Sequence, residues 1–311
     1  MKIPLPLPFW EVMERKNAIF FNISLAKFVP IPWKLDRNAV LSKNMTFSGK
    51  RALLLSVTVL TMIGIWLLPP IAQPLSFHDL ADKRTFWSIP NFWNVITNLP
   101  FLLVGLLGLA AMRRARVNTG LAVAYVALFT GITLTGIGSG YYHWAPDNNT
   151  LVWDRIPMTL VFMSLSAATV AELVDYRVGV RLLWPLLVVG IASVWWWHVT
   201  ELQGRGDLRL YGWVQYYPML LIPLVLWLYY DPSHRRALKP LALAVIWYVI
   251  VKLCEHFDWQ IVKAIRFGGH ALKHLAAAVA TWWLVMLFRS KHQEAAEQIL
   301  TVQCRSSIAW I

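Results

Sequence analysis

The sequence predicts an all-α protein, a polytopic transmembrane helix bundle. Three observations carry that prediction. The 311 residues are 58% apolar and only 14% charged, with a mean hydropathy of +0.51, more hydrophobic than soluble domains usually are. The apolar residues are gathered into runs of about 17–25, the length that crosses a bilayer as helix. The connections between runs are mostly short, and open sheet edges cannot exist in lipid, so runs this long must be helical.

Eight candidate spans follow in order: 52–74, 92–112, 120–144, 156–174, 181–200, 211–230, 240–257 and 269–288. Pro100, Pro157, Pro185, Pro218 and Pro223 fall inside or near them, which membrane helices tolerate because neighbouring groups re-satisfy the freed carbonyls. Gly105, Gly108, Gly131 and Gly136 permit close helix packing. Residues 1–49 lack a clear period and read as a cytoplasmic arm, residues 50–290 as the transmembrane domain and 291–311 as a cytoplasmic tail. MKIPLPLPFW is broken by prolines and does not read as a cleavable signal; Met45, followed by Lys50 and Arg51, is a plausible alternative start.

The net charge of +13 and the abundance of Trp and Tyr fit a membrane protein better than a nucleic-acid binder. The basic residues are scattered between apolar runs, as positive-inside topology requires, and Trp and Tyr suit interfacial belts. No nucleic-acid partner is expected. The loops holding Lys50, Arg51, Arg113, Arg114, Arg116, Arg177, Arg181, Arg235 and Arg236 are the more basic set, which places them and both termini in the cytoplasm. The two cysteines, Cys254 and Cys304, form neither a CxxC motif nor a disulfide framework.

Ionisable residues inside membrane helices are costly and usually functional. Three segments bring such residues to the same outer side: Ser139 and His143 at the end of the third span, Asp154 near the start of the fourth, and His270 and His274 at the start of the eighth. His270 and His274 are an i, i+4 pair, so both rings leave one helix face. With His143 they offer three nitrogens and an open fourth position, the catalytic form of a zinc site. Zinc there would polarise a carbonyl and lower the pKa of a water to roughly 7. Asp154 suits a general base for that water, and Ser139, one turn from His143, suits an oxyanion donor. Each residue also has a plainer reading. HxxxH can bind haem or copper or nothing, Ser can be a packing contact, and Asp154 can be a helix N-cap with Pro157 in the first turn. A lipid receptor with structural zinc and a metal carrier are the rival classes.

The segment GIGSGYYHWAPDNNTLVWDRIPMTL resembles the Ser-then-His, Asp-x-x-Pro-Met stretch of alkaline ceramidases. GGHALKH resembles their closing His-x-x-x-His, and FWNVITNLPFLLVGLLGL resembles their first-helix signature, with Asn94 and Asn98 in place and Thr97 where serine is usual. The resemblance covers residues 80–290, and the same residues mark a wider superfamily of membrane hydrolases that includes lipid remodellers of GPI anchors. It implies a seven-helix hydrolase core, to which 52–74 adds an N-terminal helix. It also implies a zinc-dependent amidase that cleaves ceramide, with zinc on His143, His270 and His274, Asp154 handling water and Ser139 stabilising the oxyanion. The expected partner is a membrane lipid, and the expected location a bacterial inner membrane with the site toward the extracytoplasmic leaflet. Family members place an acidic calcium-binding cluster before the first core helix; here Asp79 and Asp82 are followed by Lys83 and Arg84, and Asn91 stands where a Glu is usual, which argues against a calcium site. His198, Glu201, Asp207, Arg209, Lys252, Glu255 and Asp258 form further polar sets. They read as solvated loop or interfacial ion pairs, except Asp258, which is close to the closing histidines.

Overall fold

Helix ends in this chain are set by proline pairs, caps and glycines, and these decide where the polar residues lie. The computed structural model describes residues 45–113, 119–229 and 235–308, without side chains for 119, 235–238 and 291–308; the expected N-terminal arm, 1–49, lies outside the described residues up to 44. Within those limits the chain is all-helical. Helix α1 is Phe47–Trp66, capped by the Thr46 hydroxyl. It stops well before residue 74, the predicted end, because Pro69 and Pro70 cannot continue a helix. Residues 67–74 run irregularly into a 3₁₀ turn, Leu75–His78.

The second predicted span is broken in two: α2, Phe92–Ile96, and α3, Leu99–Met112. Helix α4 is Thr119–Trp144. Helix α5, Asn148–Leu173, begins two turns before the predicted residue 156 because Asp147 closes a capping box with Thr150. Asp154 is therefore not the cap, and Pro157 is interior. Helices α6 (Tyr176–Leu202) and α7 (Arg209–Tyr229) follow. Helix α8, Arg235–His256, turns through 79° into the short α9, Asp258–Ile265. Helix α10, Gly269–Ile308, runs on past the predicted end of the last span.

Among the described residues six helices are long and apolar enough to cross a membrane, or seven if the bent α8–α9 pair counts as one span. Helix α7 is not among them; Trp213, its tyrosines and its two prolines keep its hydropathy down. Helix α5 is the hub, packed against α4, α6 and α7, while α10 packs against α8 and α3. One apolar core joins α5, α6 and α7 around Met163, Leu183 and Val214; another joins α3, α4, α8 and α10 around Phe129, Leu241 and Phe288.

Candidate metal centre

Three histidines from two distant helices meet at the end of the bundle where α4 finishes and α10 begins. His143 is in the last turn of α4, and His270 and His274 are in the first two turns of α10. All three are buried, and their candidate ligand nitrogens lie within 4.8 Å of one another. The ring centroids are 4.8–4.9 Å apart, and the Nε2 atoms of His143 and His270 are separated by 3.3 Å.

Local sequence produces this convergence. A Cβ on Gly138 would lie 2.0 Å from the Trp153 carbonyl oxygen, so only glycine lets α4 approach the backbone of α5 beside Asp154. A Cβ on Gly269 would lie 2.7 Å from both the Asp258 Cα and the Cys254 carbonyl oxygen, so glycine seats the start of α10 in the α8–α9 corner. Asp258 fastens that corner: its carboxylate accepts from the backbone N–H of His270 (2.8 Å) and of Ala81 (3.2 Å). Asn91 donates to the His143 carbonyl at 2.9 Å, tying the preceding loop to the same end.

The break between α2 and α3 supplies the groups that orient His274. The Thr97 hydroxyl donates to the Trp93 carbonyl (2.6 Å) and lies 3.0 Å from His274 Nδ1. With its own hydrogen committed, the hydroxyl accepts from Nδ1–H, which leaves the lone pair on Nε2. That Nε2 is buried and has no protein partner, as is His143 Nδ1. Buried nitrogens left unmatched are costly, and two facing Nε2 atoms need a shared proton or cation between them. The arrangement answers that need: His143, His270 and His274 could hold a metal ion, with Thr97 setting the ring of His274 from behind.

Ser139 and Asp154 are buried next to this cluster, one turn below His143 on α4 and two turns into α5. The Ser139 hydroxyl lies against the Asp154 carboxylate. Both residues and His274 line a cavity of about 230 Å³. From that polar end the cavity runs between helices past Phe101, Ile132, Leu241, Ala244 and Leu284. Ten residues separate His274 from Leu284, about 15 Å of helix, so the space is long, narrow and apolar.

The other polar residues divide. Lys252 and Lys273 both pair with Glu255 (2.7 and 3.0 Å) and line the cavity, where sequence suggested an interfacial ion-pair set for Lys252 and Glu255. Asp207 pairs with Arg209 at 2.7 Å, and Glu201 accepts from Gln73 N–H and Trp197; neither touches the histidines. His198 packs between Trp195 and Trp197, and His256 against Phe257. Asp79 is bound by Lys83, and Asp82 accepts side-on from Arg84 Nε and Nη2 at 2.9 and 2.6 Å. Arg84 holds the Asp82 carboxyl below the usual carboxylate range against the opposing effect of burial. Thr97 was visible only as a variant position, and the contribution of Gly138 carried no signal in sequence that separates it from packing residues. No family model matches the chain, and no curated protein matches it either.

Proposed function

We propose that this protein is a zinc-dependent intramembrane hydrolase of lipid amides with ceramide-like substrates. The observation that carries the reading is the meeting of three buried imidazoles with Ser139 and Asp154 at the polar end of a long apolar cavity. The resemblance to alkaline ceramidases points to the same five residues. Three imidazoles are a donor set that suits zinc. The 3.3 Å between His143 and His270 equals the spacing of about 3.3 Å expected for two nitrogens some 2.0–2.1 Å from a tetrahedral ion.

When bound, zinc supplies Lewis-acid chemistry, polarising the amide carbonyl and bringing the pKa of a water near neutrality. The chain supplies the rest. Asp154 takes a proton from the attacking water and returns it to the leaving nitrogen. The Ser139 hydroxyl donates to the oxygen that gains charge as the carbonyl carbon becomes tetrahedral. A C–O bond forms and the C–N bond breaks, giving a fatty acid and a sphingoid base. The apolar cavity holds the acyl chain and excludes water around the reacting carbonyl. An acyl ester would suit the same groups, which is the lipid-remodelling variant of this reading.

In this reading α1, the α2–α3 pair, α4 to α7, the α8–α9 pair and α10 make eight crossings, a seven-helix core over residues 80–290 preceded by α1. The basic loops keep both termini in the cytoplasm of a bacterial cell, and the metal end faces the extracytoplasmic leaflet of the inner membrane. Purified protein in detergent with labelled ceramide tests the function. Turnover is expected, lost with chelator and restored by zinc. Full activity in a metal-free His270→Ala protein excludes it.

A further inference from the structure

The cavity wall holds a cation, Arg155, on which Asp154 and Glu201 act electrostatically but with which neither forms an ion pair among the described residues. Arg155 is 4% exposed, lines the cavity, and takes part in none of the ion pairs among the described residues. Its Nη2 donates to the neutral side chain of Gln73 at 2.5 Å, and its Nη1 is buried with no partner. The guanidinium is held among the rings of Trp197 (4.2 Å), Tyr211 (4.6 Å) and Phe77 (5.6 Å). Glu201 is nearby but already accepts from the Gln73 backbone and Trp197. The other two cations on the cavity wall, Lys252 and Lys273, share Glu255. The wall thus carries three cations against two carboxylates, Asp154 and Glu255, before any metal adds its charge. A buried charge without an ion-pair partner is expensive, and an aromatic collar softens that cost without removing it.

We propose that this site prefers, over an acyl amide with a neutral head group such as ceramide, one whose head group carries a compact anion, a carboxylate or a phosphate, and that Arg155 is the residue that binds it. The inference rests on the amidase reading of the neighbouring site. Arg155 follows Asp154 on α5 and faces Gln73, just before the 3₁₀ turn, and Phe77 within it. The apolar stretch of the cavity runs the other way, past Leu241 and Leu284. An acyl chain in that stretch with its amide at the histidines would direct its head group to the free guanidinium edge. Guanidinium–carboxylate and guanidinium–phosphate pairs are strong and directional when desolvated, whereas the hydroxyls of a neutral head group would leave the charge unmatched.

The experiment uses zinc-loaded protein in neutral detergent and probes that share one acyl chain: N-oleoylglycine, N-oleoylethanolamine, its O-phosphate and free oleate. Hydrolysis is measured by kcat/KM, and affinity by equilibrium dialysis on wild type, Arg155→Met and Arg155→Lys, with thermal melts to confirm folding. Wild type is expected to favour an anionic amide over the neutral one by about tenfold or more in both readouts. The carboxylate and phosphate probes show which anion is preferred. Arg155→Met collapses the ratio, mainly through KM, and Arg155→Lys restores part of it. Equal use of charged and neutral amides by wild type overturns the inference and leaves the amidase reading standing, as does a ratio unchanged in Arg155→Met. Oleate binding as tightly as N-oleoylglycine also overturns it, because Arg155 would then be reading the acyl carboxylate. If no probe is cleaved but the anionic amides still bind selectively through Arg155, the amidase reading fails and the recognition stands. A misfolded Arg155→Met leaves the wild-type and Arg155→Lys ratios to decide.

Discussion

Helices α1 and α5 have similar hydropathy and opposite situations. Their best membrane windows average 1.3 and 1.6, yet 6% of the first is buried and 61% of the second. Helix α1 touches the bundle along one side, through Thr58 to Tyr217 and Trp213 to Thr61, and turns Leu55, Leu60 and Ile63 outward. Helix α5 is enclosed by α4, α6 and α7 and can therefore carry Asp154 and Arg155. Apolarity alone shows that a helix belongs in a membrane. Enclosure by protein is what lets a membrane helix hold a charge, because neighbours replace the water that lipid cannot supply.

That contrast can be broken or sharpened by substitution, from the largest expected effect to the smallest. Asp154→Asn, inside the enclosed helix, is expected to lower kcat for labelled ceramide by about 10²–10⁴-fold with zinc content unchanged by elemental analysis; an unchanged kcat would remove Asp154 from the chemistry. Gly138→Val wedges α4 from α5 at the Trp153 carbonyl and should cost about 3 kcal/mol, read as a lower melting temperature with activity lost in parallel. Thr97→Val removes the acceptor on His274 Nδ1 and should weaken metal binding by about 10–100-fold in a competitive chelator titration, with the fold intact by circular dichroism.

Smaller effects are expected at the edges. Asp147→Ala removes the cap of α5 and should cost about 1 kcal/mol. The Thr150 backbone N–H holds the Asp147 carboxyl below the ordinary carboxylate range. The cap's contribution is therefore complete above the unfolded pKa, about 3.9, and lost as pH falls through the lower folded value. Thermal melts from pH 6 to pH 3 should show the wild-type advantage over Asp147→Ala shrinking across that window. Leu60→Ala, on the outward face of α1, should change stability in bilayer nanodiscs by no more than about 0.5 kcal/mol; a larger loss would mean that α1 is packed against something beyond lipid.

Much of the site could be read from the chain, in a particular way. The i, i+4 spacing of His270 and His274 fixes them on one helix face whatever the tertiary context, and hydropathy places them and His143 at helix ends. What spacing cannot reveal is direction. Asp154 read equally well as a cap until Asp147 took that place with Thr150. Thr97 was one residue of a short motif until the break at α2–α3 turned its hydroxyl to His274. Lys252 and Glu255 read as part of an interfacial set because the second partner of Glu255, Lys273, comes from another helix, and pairings between helices are not encoded in either helix alone.

By itself, the sequence determined that the chain is a bundle of apolar helices with its ionisable residues gathered near a few helix ends, because hydropathy and helical period are local properties that each segment carries. Only the tertiary structure decided that three imidazoles meet, that Asp154 and Ser139 line one cavity with His274, and that Arg155 forms no ion pair among the described residues. Those facts depend on glycines admitting one backbone against another, and on which side chain reaches a given group first.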